Sequence, residues 1–211
     1  MSHGVDSAPR ELSVPIGQRR ITLREPPGGQ AEEEERLSLW WGVTTAAAVL
    51  AAAIDSGPPL QGSRVIELGC GLGLAGIAAA LCGGHVTFTD GVAAALEHAR
   101  GNAELNRLAP EQTAFRLLRW DEPPADLGPA DLILGSEIAY DYFFHDELLR
   151  LLDGLCKPAG TILLADRPRL VIERFLGRLT ARGFRCTEQL PPALPAMLPP
   201  QDVRVYRLRR C

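Results

Sequence analysis

The residues best suited to chemistry in this 211-residue sequence fall in four short stretches, and the first is Glu67-Leu68-Gly69-Cys70-Gly71-Leu72-Gly73. Without Cβ atoms at Gly69, Gly71 and Gly73, a ligand can lie against the backbone while amides at the start of a following helix offer it donors. Asp90 comes one strand–helix unit later, where a carboxylate can accept both hydroxyls of a ribose. Trp120-Asp121 and Ser136-Glu137-Ile138-Ala139-Tyr140 follow, each with an acid beside an aromatic or hydroxyl group. Plainer uses compete for the same residues: a sharp turn calls for glycine, Asp90 can cap a helix, and Trp120 can cover a core. Cys70 reads as a small residue filling a tight turn rather than as a nucleophile.

The elements that position these stretches read as a regular alternation. Val65 to Leu68 is a buried strand, and Leu74, Ile77, Ala78 and Leu81 mark the next helix. Gly83-Gly84 caps that helix, His85 to Asp90 is the second strand with its acid at the carboxyl end, and Ala94 to Leu108 is helical. Ala114 to Arg119 is a strand ending at Trp120-Asp121, and Asp131 to Gly135 is a strand ending at Ser136, so the candidate residues gather at carboxyl edges, where ligands of open α/β sheets bind. Phe144 to Leu155 is amphipathic, Lys157-Pro158-Ala159-Gly160 is a turn, and Thr161 to Asp166 is the fifth strand. Helix Arg169 to Arg182, strand Phe184 to Gln189, the proline-rich loop 191–200 and strand Val203 to Leu208 complete the chain. Seven strands alternating with helices predict an α/β, doubly wound sheet, mostly parallel, whose antiparallel last strand comes in by a hairpin.

Before this domain, Leu12 to Val14 and Arg20 to Leu23 flank Pro15-Ile16-Gly17-Gln18 as a hairpin. Pro26-Pro27-Gly28-Gly29 and Glu32 to Glu35 then read as a flexible surface segment. Residues 1–36 are therefore an N-terminal extension and 37–211 the main domain. Leu39-Trp40-Trp41-Gly42 precedes an alanine-rich helix from Val43 to Ile54, and the two tryptophans serve either as core anchors or as a pocket wall.

Composition excludes several classes. No apolar run reaches the roughly 18 residues of a membrane helix, and the first ten residues lack a signal-peptide core, which predicts a cytoplasmic protein away from membranes. Five cysteines without a close pair offer neither a disulfide framework nor zinc-ligand spacing, so no metal is expected. The net charge of −4 gives no support for nucleic-acid binding. Ten arginines from Arg167 onward, against three acids, read as a solvated face.

Gly71-Leu72-Gly73-Leu74-Ala75-Gly76 also fits a dinucleotide-binding pattern, but that register puts Glu67 where such a strand carries an apolar side chain. Glu67-x-Gly69-x-Gly71-x-Gly73 instead resembles the first motif of the seven-β-strand S-adenosylmethionine-dependent methyltransferases, which have a Rossmann-like fold. Glu137-x-x-Tyr140 and Trp120 resemble its family 16 branch, the protein-lysine methyltransferases, with an overall likeness to the methyltransferase-like 21 type. That resemblance covers nearly everything from Leu37 onward.

The resemblance implies S-adenosylmethionine as cofactor, with Glu67 beside its methionine end and Gly69, Cys70, Gly71 and Gly73 beneath its ribose and amino-acid portion. Asp90 would then hold the ribose, Trp120 and Asp121 the adenine, and Trp40 or Trp41 a further wall, with Ser136 bordering the site. It further implies Glu137 and Tyr140 on the acceptor side and transfer to a protein lysine; a monomer is expected. Where relatives carry Trp followed by Asp before the first helix, this chain has Trp41-Gly42. Arginine, histidine or a small amine as acceptor, or a catalytically silent cofactor-binding module, are the alternatives on the same scaffold.

Overall fold

The computed structural model describes residues 9–26, 42–122, 126–189 and 201–211. Strands β1 (Arg10–Ile16) and β2 (Arg19–Glu25) pair antiparallel about Gly17, whose φ of +55° suits glycine. The chain continues through α1 (Thr45–Asp55), β3 (Arg64–Leu68), α2 (Leu74–Leu81), β4 (His85–Asp90), α3 (Ala93–Leu105), β5 (Thr113–Leu117) and β6 (Ala130–Ser136). It closes with α4 (His145–Leu155), β7 (Cys156–Asp166), α5 (Leu170–Ala181), β8 (Phe184–Gln189) and β9 (Arg204–Arg210). Glu32 to Glu35, the boundary between 36 and 37, and the loop 191–200 lie outside the described residues.

The seven-stranded sheet has the order β5-β4-β3-β6-β7-β9-β8. Pairs from β5 through β7 are parallel, and β9 runs antiparallel to both β7 and β8, as the alternating sequence pattern predicts. From β3 the chain winds outward through β4 to β5, then returns to the centre at β6 and winds the other way. Loops leaving the carboxyl ends of β3 and β6 therefore diverge, and the crevice between them is where this topology places a ligand.

The period-2 alternation of the strands sorts side chains into two cores. Val65, Phe88, Leu134 and Ala165 face a layer built by α1, α2 and α3, whereas Ile66, Leu68, Ile133 and Ile162 face α4 and α5. Helix α2 is buried almost all round because the sheet lies on one side and α1 on another; its alanines allow that close approach. The N-terminal hairpin is packed over this helical layer, with Val14, Ile16, Ile21 and Leu23 fully buried in the same core.

Two asparagines tie the hairpin down. Asn106 accepts the Thr22 amide at 3.0 Å and donates to the Thr22 carbonyl at 2.7 Å, so its side chain pairs with β2 as a strand neighbour would. Asn102, one turn earlier on α3 and buried, accepts the Arg24 amide at 2.7 Å and donates to the Leu72 carbonyl at 3.0 Å. It thereby joins the hairpin to the glycine turn.

One segment differs from its expected form. Lys157 to Gly160 falls within β7 as a register irregularity, because Ala130 pairs with Cys156 while Leu132 pairs with Thr161.

Candidate active site

Between β3 and α2 the backbone turns through Gly69, Gly71 and Gly73, with φ of +61°, +50° and +84°. Three left-handed residues at alternate positions would strain any side-chain-bearing sequence. The turn is fastened to β4: the Cys70 amide donates to the Thr89 carbonyl at 2.9 Å, and the Gly71 amide donates to Asp90 Oδ2 at 2.9 Å. Asp90 Oδ1 accepts the Val92 amide at 3.0 Å, so one carboxylate braces both loops. Burial pushes the Asp90 carboxyl above its ordinary range, and the amide bonds oppose that rise. Each oxygen spends one lone pair on these amides and keeps acceptor capacity for hydroxyls.

The turn opens on a cavity of about 330 Å³, and Gly69, Cys70, Gly71 and Asp90 form one wall. Trp120, Asp121 and Ser136 line it from the ends of β5 and β6, and Glu137 and Tyr140 from the loop after β6. Nine of the residues singled out from the sequence thus meet in one crevice. Trp40 and Trp41 lie outside the described residues, while Gly42 and Val43 reach the cavity edge.

Two expected residues serve elsewhere. Glu67 is 2% exposed and does not line the cavity; by strand alternation it points into the helical layer, where its Oε2 accepts the Gly76 amide at 3.0 Å. Gly76 is the third residue of α2, whose N-cap Gly73 has no side chain to offer, so Glu67 supplies the missing cap from the strand. Burial drives its carboxyl up to about 8, with the Asp90 charge adding to the rise and the Gly76 hydrogen bond opposing it. Gly73 also stays off the wall: a Cβ there would press on Ala99 and the Phe88 ring, so its role is close packing of the turn against α3 and β4. The Cys70 thiol, buried beside Glu67 and Asp90, is held well above its usual range, which suits a packing residue and not a nucleophile.

The far wall contains groups that the sequence pattern did not single out. Phe144 meets Trp120 edge-to-face at 6.0 Å and 82°, and Leu118 lines the same cavity, giving it an apolar side. Trp120 also packs against the α4–α5 core, so it covers the core while lining the cavity. Arg119 pairs with Asp121 at 3.1 Å and holds that carboxyl below its ordinary range. Thr44 lines the cavity while capping α1 through the Ala47 amide at 3.1 Å; a threonine just before an apolar helix was the available signal.

Glu137 is one of two non-glycine described residues with positive φ, at +51°. Its amide donates to the Ala165 carbonyl at 2.9 Å, and its Oε1 accepts Arg167 Nε at 3.1 Å from the end of β7. Buried His145 donates from Nε2 to the Ala139 carbonyl at 2.9 Å, bracing the loop that carries Glu137 and Tyr140. Burial, with the charges of Asp141 and Asp90, raises the Tyr140 phenol, which remains a donor rather than a base.

A family model described as lysine methyltransferase matches residues 31–182. The chain belongs to the lysine methyltransferase family. Mouse protein N-lysine methyltransferase METTL21A is 35% identical over 156 residues, which cover 72% of this chain and 68% of the mouse protein. Mouse EEF1A lysine methyltransferase 3 is 39% identical over 127 residues, covering 59% of this chain and 54% of that protein. The chain thus matches about half to two thirds of the length of these curated relatives. A T. thermophilus 16S rRNA N2 G1207 methyltransferase, solved in complex with AdoMet and guanosine, superposes with a TM-score of 0.71 at 19% identity, over 97% of this chain and 51% of that one, and shares the fold.

The cavity fits S-adenosylmethionine, the cofactor that the first glycine motif implies. Asp90 has acceptor capacity for ribose hydroxyls, the aromatic side formed by Trp120 and Phe144 suits a purine, and the Gly69–Gly71 backbone leaves room for the amino-acid portion. Among the described residues no group of His, Cys, Asp and Glu is arranged to hold a metal, and no helix is long and apolar enough to cross a membrane.

Proposed function

We propose that this protein methylates a lysine side chain of another protein. The observation that carries the reading is the meeting, in one cavity, of the Asp90–glycine-turn cradle with Glu137 and Tyr140. When bound, the cofactor supplies a sulfonium methyl group that passes to the amine lone pair, the sulfur keeping the electrons of the broken carbon–sulfur bond. The chain's own work is to hold donor and acceptor on axis and away from water. Glu137 attracts the incoming ammonium, Tyr140 forms an aromatic and hydrogen-bonding wall, and the proton leaves to solvent before transfer.

A protein acceptor is supported by the segment between the cavity-lining Tyr140 and Phe144, where Tyr142 and Phe143 stand exposed on a short turn held by Asp141, whose carboxylate accepts the Phe143 amide at 2.9 Å. Phe143 is 88% exposed, and an apolar rim beside a site fits a polypeptide better than a small polar metabolite. We take the enzyme to act as a monomer in the cytoplasm, a setting that suits its five free cysteines.

The test is incubation with methyl-tritiated cofactor and a cell lysate, followed by acid hydrolysis of the labelled protein. Recovery of methyl-lysine is expected. Label in arginine, histidine or only the small-molecule fraction would overturn the lysine reading.

A further inference from the structure

We propose that Arg167 is a positioning residue of the methyl-transfer site: by neutralising Glu137 it keeps the bound acceptor amine from being locked in its ammonium form. The inference rests on the lysine reading above and names a control within it.

The geometry begins at the end of β7. Asp166 is buried, and its Oδ1 accepts the Arg167 amide at 2.7 Å and Arg169 Nη2 at 2.6 Å. With Asp166 engaged by Arg169, the Arg167 guanidinium extends instead to Glu137 Oε1. Ser136 and Ala165 are partners in the β6–β7 register, so Glu137 and Arg167 leave adjacent strand ends side by side. The left-handed backbone at Glu137 is the local strain that such a site retains when the side-chain direction matters. Stability is a poor account of the pair, since the Arg167 side chain is 43% exposed and such ion pairs contribute little.

Methyl transfer sets two opposed demands on Glu137. A lone carboxylate would draw in a lysine ammonium, yet it would also raise the ammonium's pKa above the ordinary value near 10.4, suppressing the neutral amine that alone carries the attacking lone pair. Arg167 makes the pair neutral overall while Glu137 still lines the cavity. Among the described residues, the remaining charged or titratable groups on that cavity are Cys70 from the glycine turn, Asp90 from β4, the Arg119–Asp121 pair beyond β5, and Tyr140. Cys70 and Tyr140 are both held in their neutral forms, and Asp90 is bound to two amides. The acceptor's proton balance therefore depends chiefly on the Glu137–Arg167 pair. One proton leaves the ammonium for solvent, and the amine so formed is the species that takes the methyl group.

The experiment uses the acceptor protein purified from the band that wild-type enzyme labels in a lysate. Turnover at saturating acceptor is measured from pH 6.5 to 9.5 for wild type, Arg167→Gln, Arg167→Lys, Glu137→Gln and the double variant Arg167→Gln/Glu137→Gln. In Arg167→Gln the rise of kcat with pH is expected to move up by about one unit, giving a roughly tenfold loss along the rising limb from pH 6.5 to 9.5, without a rise in KM. Arg167→Lys should keep the wild-type profile, Glu137→Gln should move the rise to lower pH with a higher KM, and the double variant should undo the upward shift. No loss in Arg167→Gln, a loss that the double variant does not undo, or an unshifted Glu137→Gln profile would overturn the inference and leave lysine methylation standing. Failure of wild type to label any lysine would overturn both.

Discussion

Asp90 and Gly71 are joined by a 2.9 Å hydrogen bond from the glycine amide to the aspartate carboxylate, with the Val92 amide on its other oxygen. Asp90 therefore bridges two loops that line the cavity. Asp90→Asn, which keeps the shape and removes the charge, is expected to weaken binding of S-adenosylhomocysteine by about 1–2 kcal/mol, roughly five- to thirtyfold, by titration calorimetry. Asp90→Ala should cost more and also lower the melting temperature, because both amides lose their acceptor. Undiminished affinity in a folded Asn variant would confine Asp90 to bracing the loops.

Glu67 gives a pH signature of its own. Its carboxyl is raised from 4.5 to about 8 in the folded protein, so the folded state binds a proton that the unfolded chain releases above pH 4.5. Its contribution is fully present below pH 4.5 and is lost as pH rises toward and through 8, with a limiting slope of about 1.4 kcal/mol per pH unit. Glu67→Gln, permanently neutral and still able to accept the Gly76 amide, should flatten the fall in melting temperature between pH 5 and 8 measured by circular dichroism. Parallel curves for the two proteins would mean that Glu67 is ionised throughout.

Gly76→Ala tests the same contact by sterics. A Cβ there would collide with the Phe88 ring and the Glu67 carboxylate, both fixed in the core. The expected loss is about 1–3 kcal/mol in denaturant unfolding. A neutral substitution would show that the cap is not tightly packed.

On the acceptor side, Tyr140→Phe keeps the aromatic wall and should reduce turnover less than about tenfold, while Tyr140→Ala removes it and should cost more. Cofactor affinity should change little in either. Equal losses in both variants, matched by loss of melting temperature, would place Tyr140 in the scaffold.

Asn102→Ala leaves the Leu72 carbonyl and the Arg24 amide without their partner, at a cost of about 2–4 kcal/mol. Because Leu72 lines the cavity, cofactor affinity should fall along with stability. Unchanged affinity in the destabilised variant would separate the hairpin from the site.

The strand alternation and the glycine spacing made the sheet and its carboxyl-edge crevice legible, because periodicity and turn chemistry are local properties. Glu67 illustrates a missed inference: the same alternation that put Val65 in the helical layer puts Glu67 there too, away from the cavity. Arg167 was hidden for a different reason. Its contact with Glu137 spans 30 positions and depends on β6–β7 register and on a left-handed glutamate, which no residue-type pattern announces. Asn102 left a faint trace, since asparagine within a helix needs a partner that compensates its poor propensity.

The outer layers also bear on where this protein can be cut. The family match spans 31–182, whereas the hairpin and the last two strands lie outside it. A fragment trimmed to the match would bare the surface under Val14, Ile21 and Leu23 and, with β9 gone, leave apolar β7 as an open edge. Such an edge recruits neighbouring chains, so a trimmed fragment would aggregate on expression, and workable boundaries begin before β1 and end after β9.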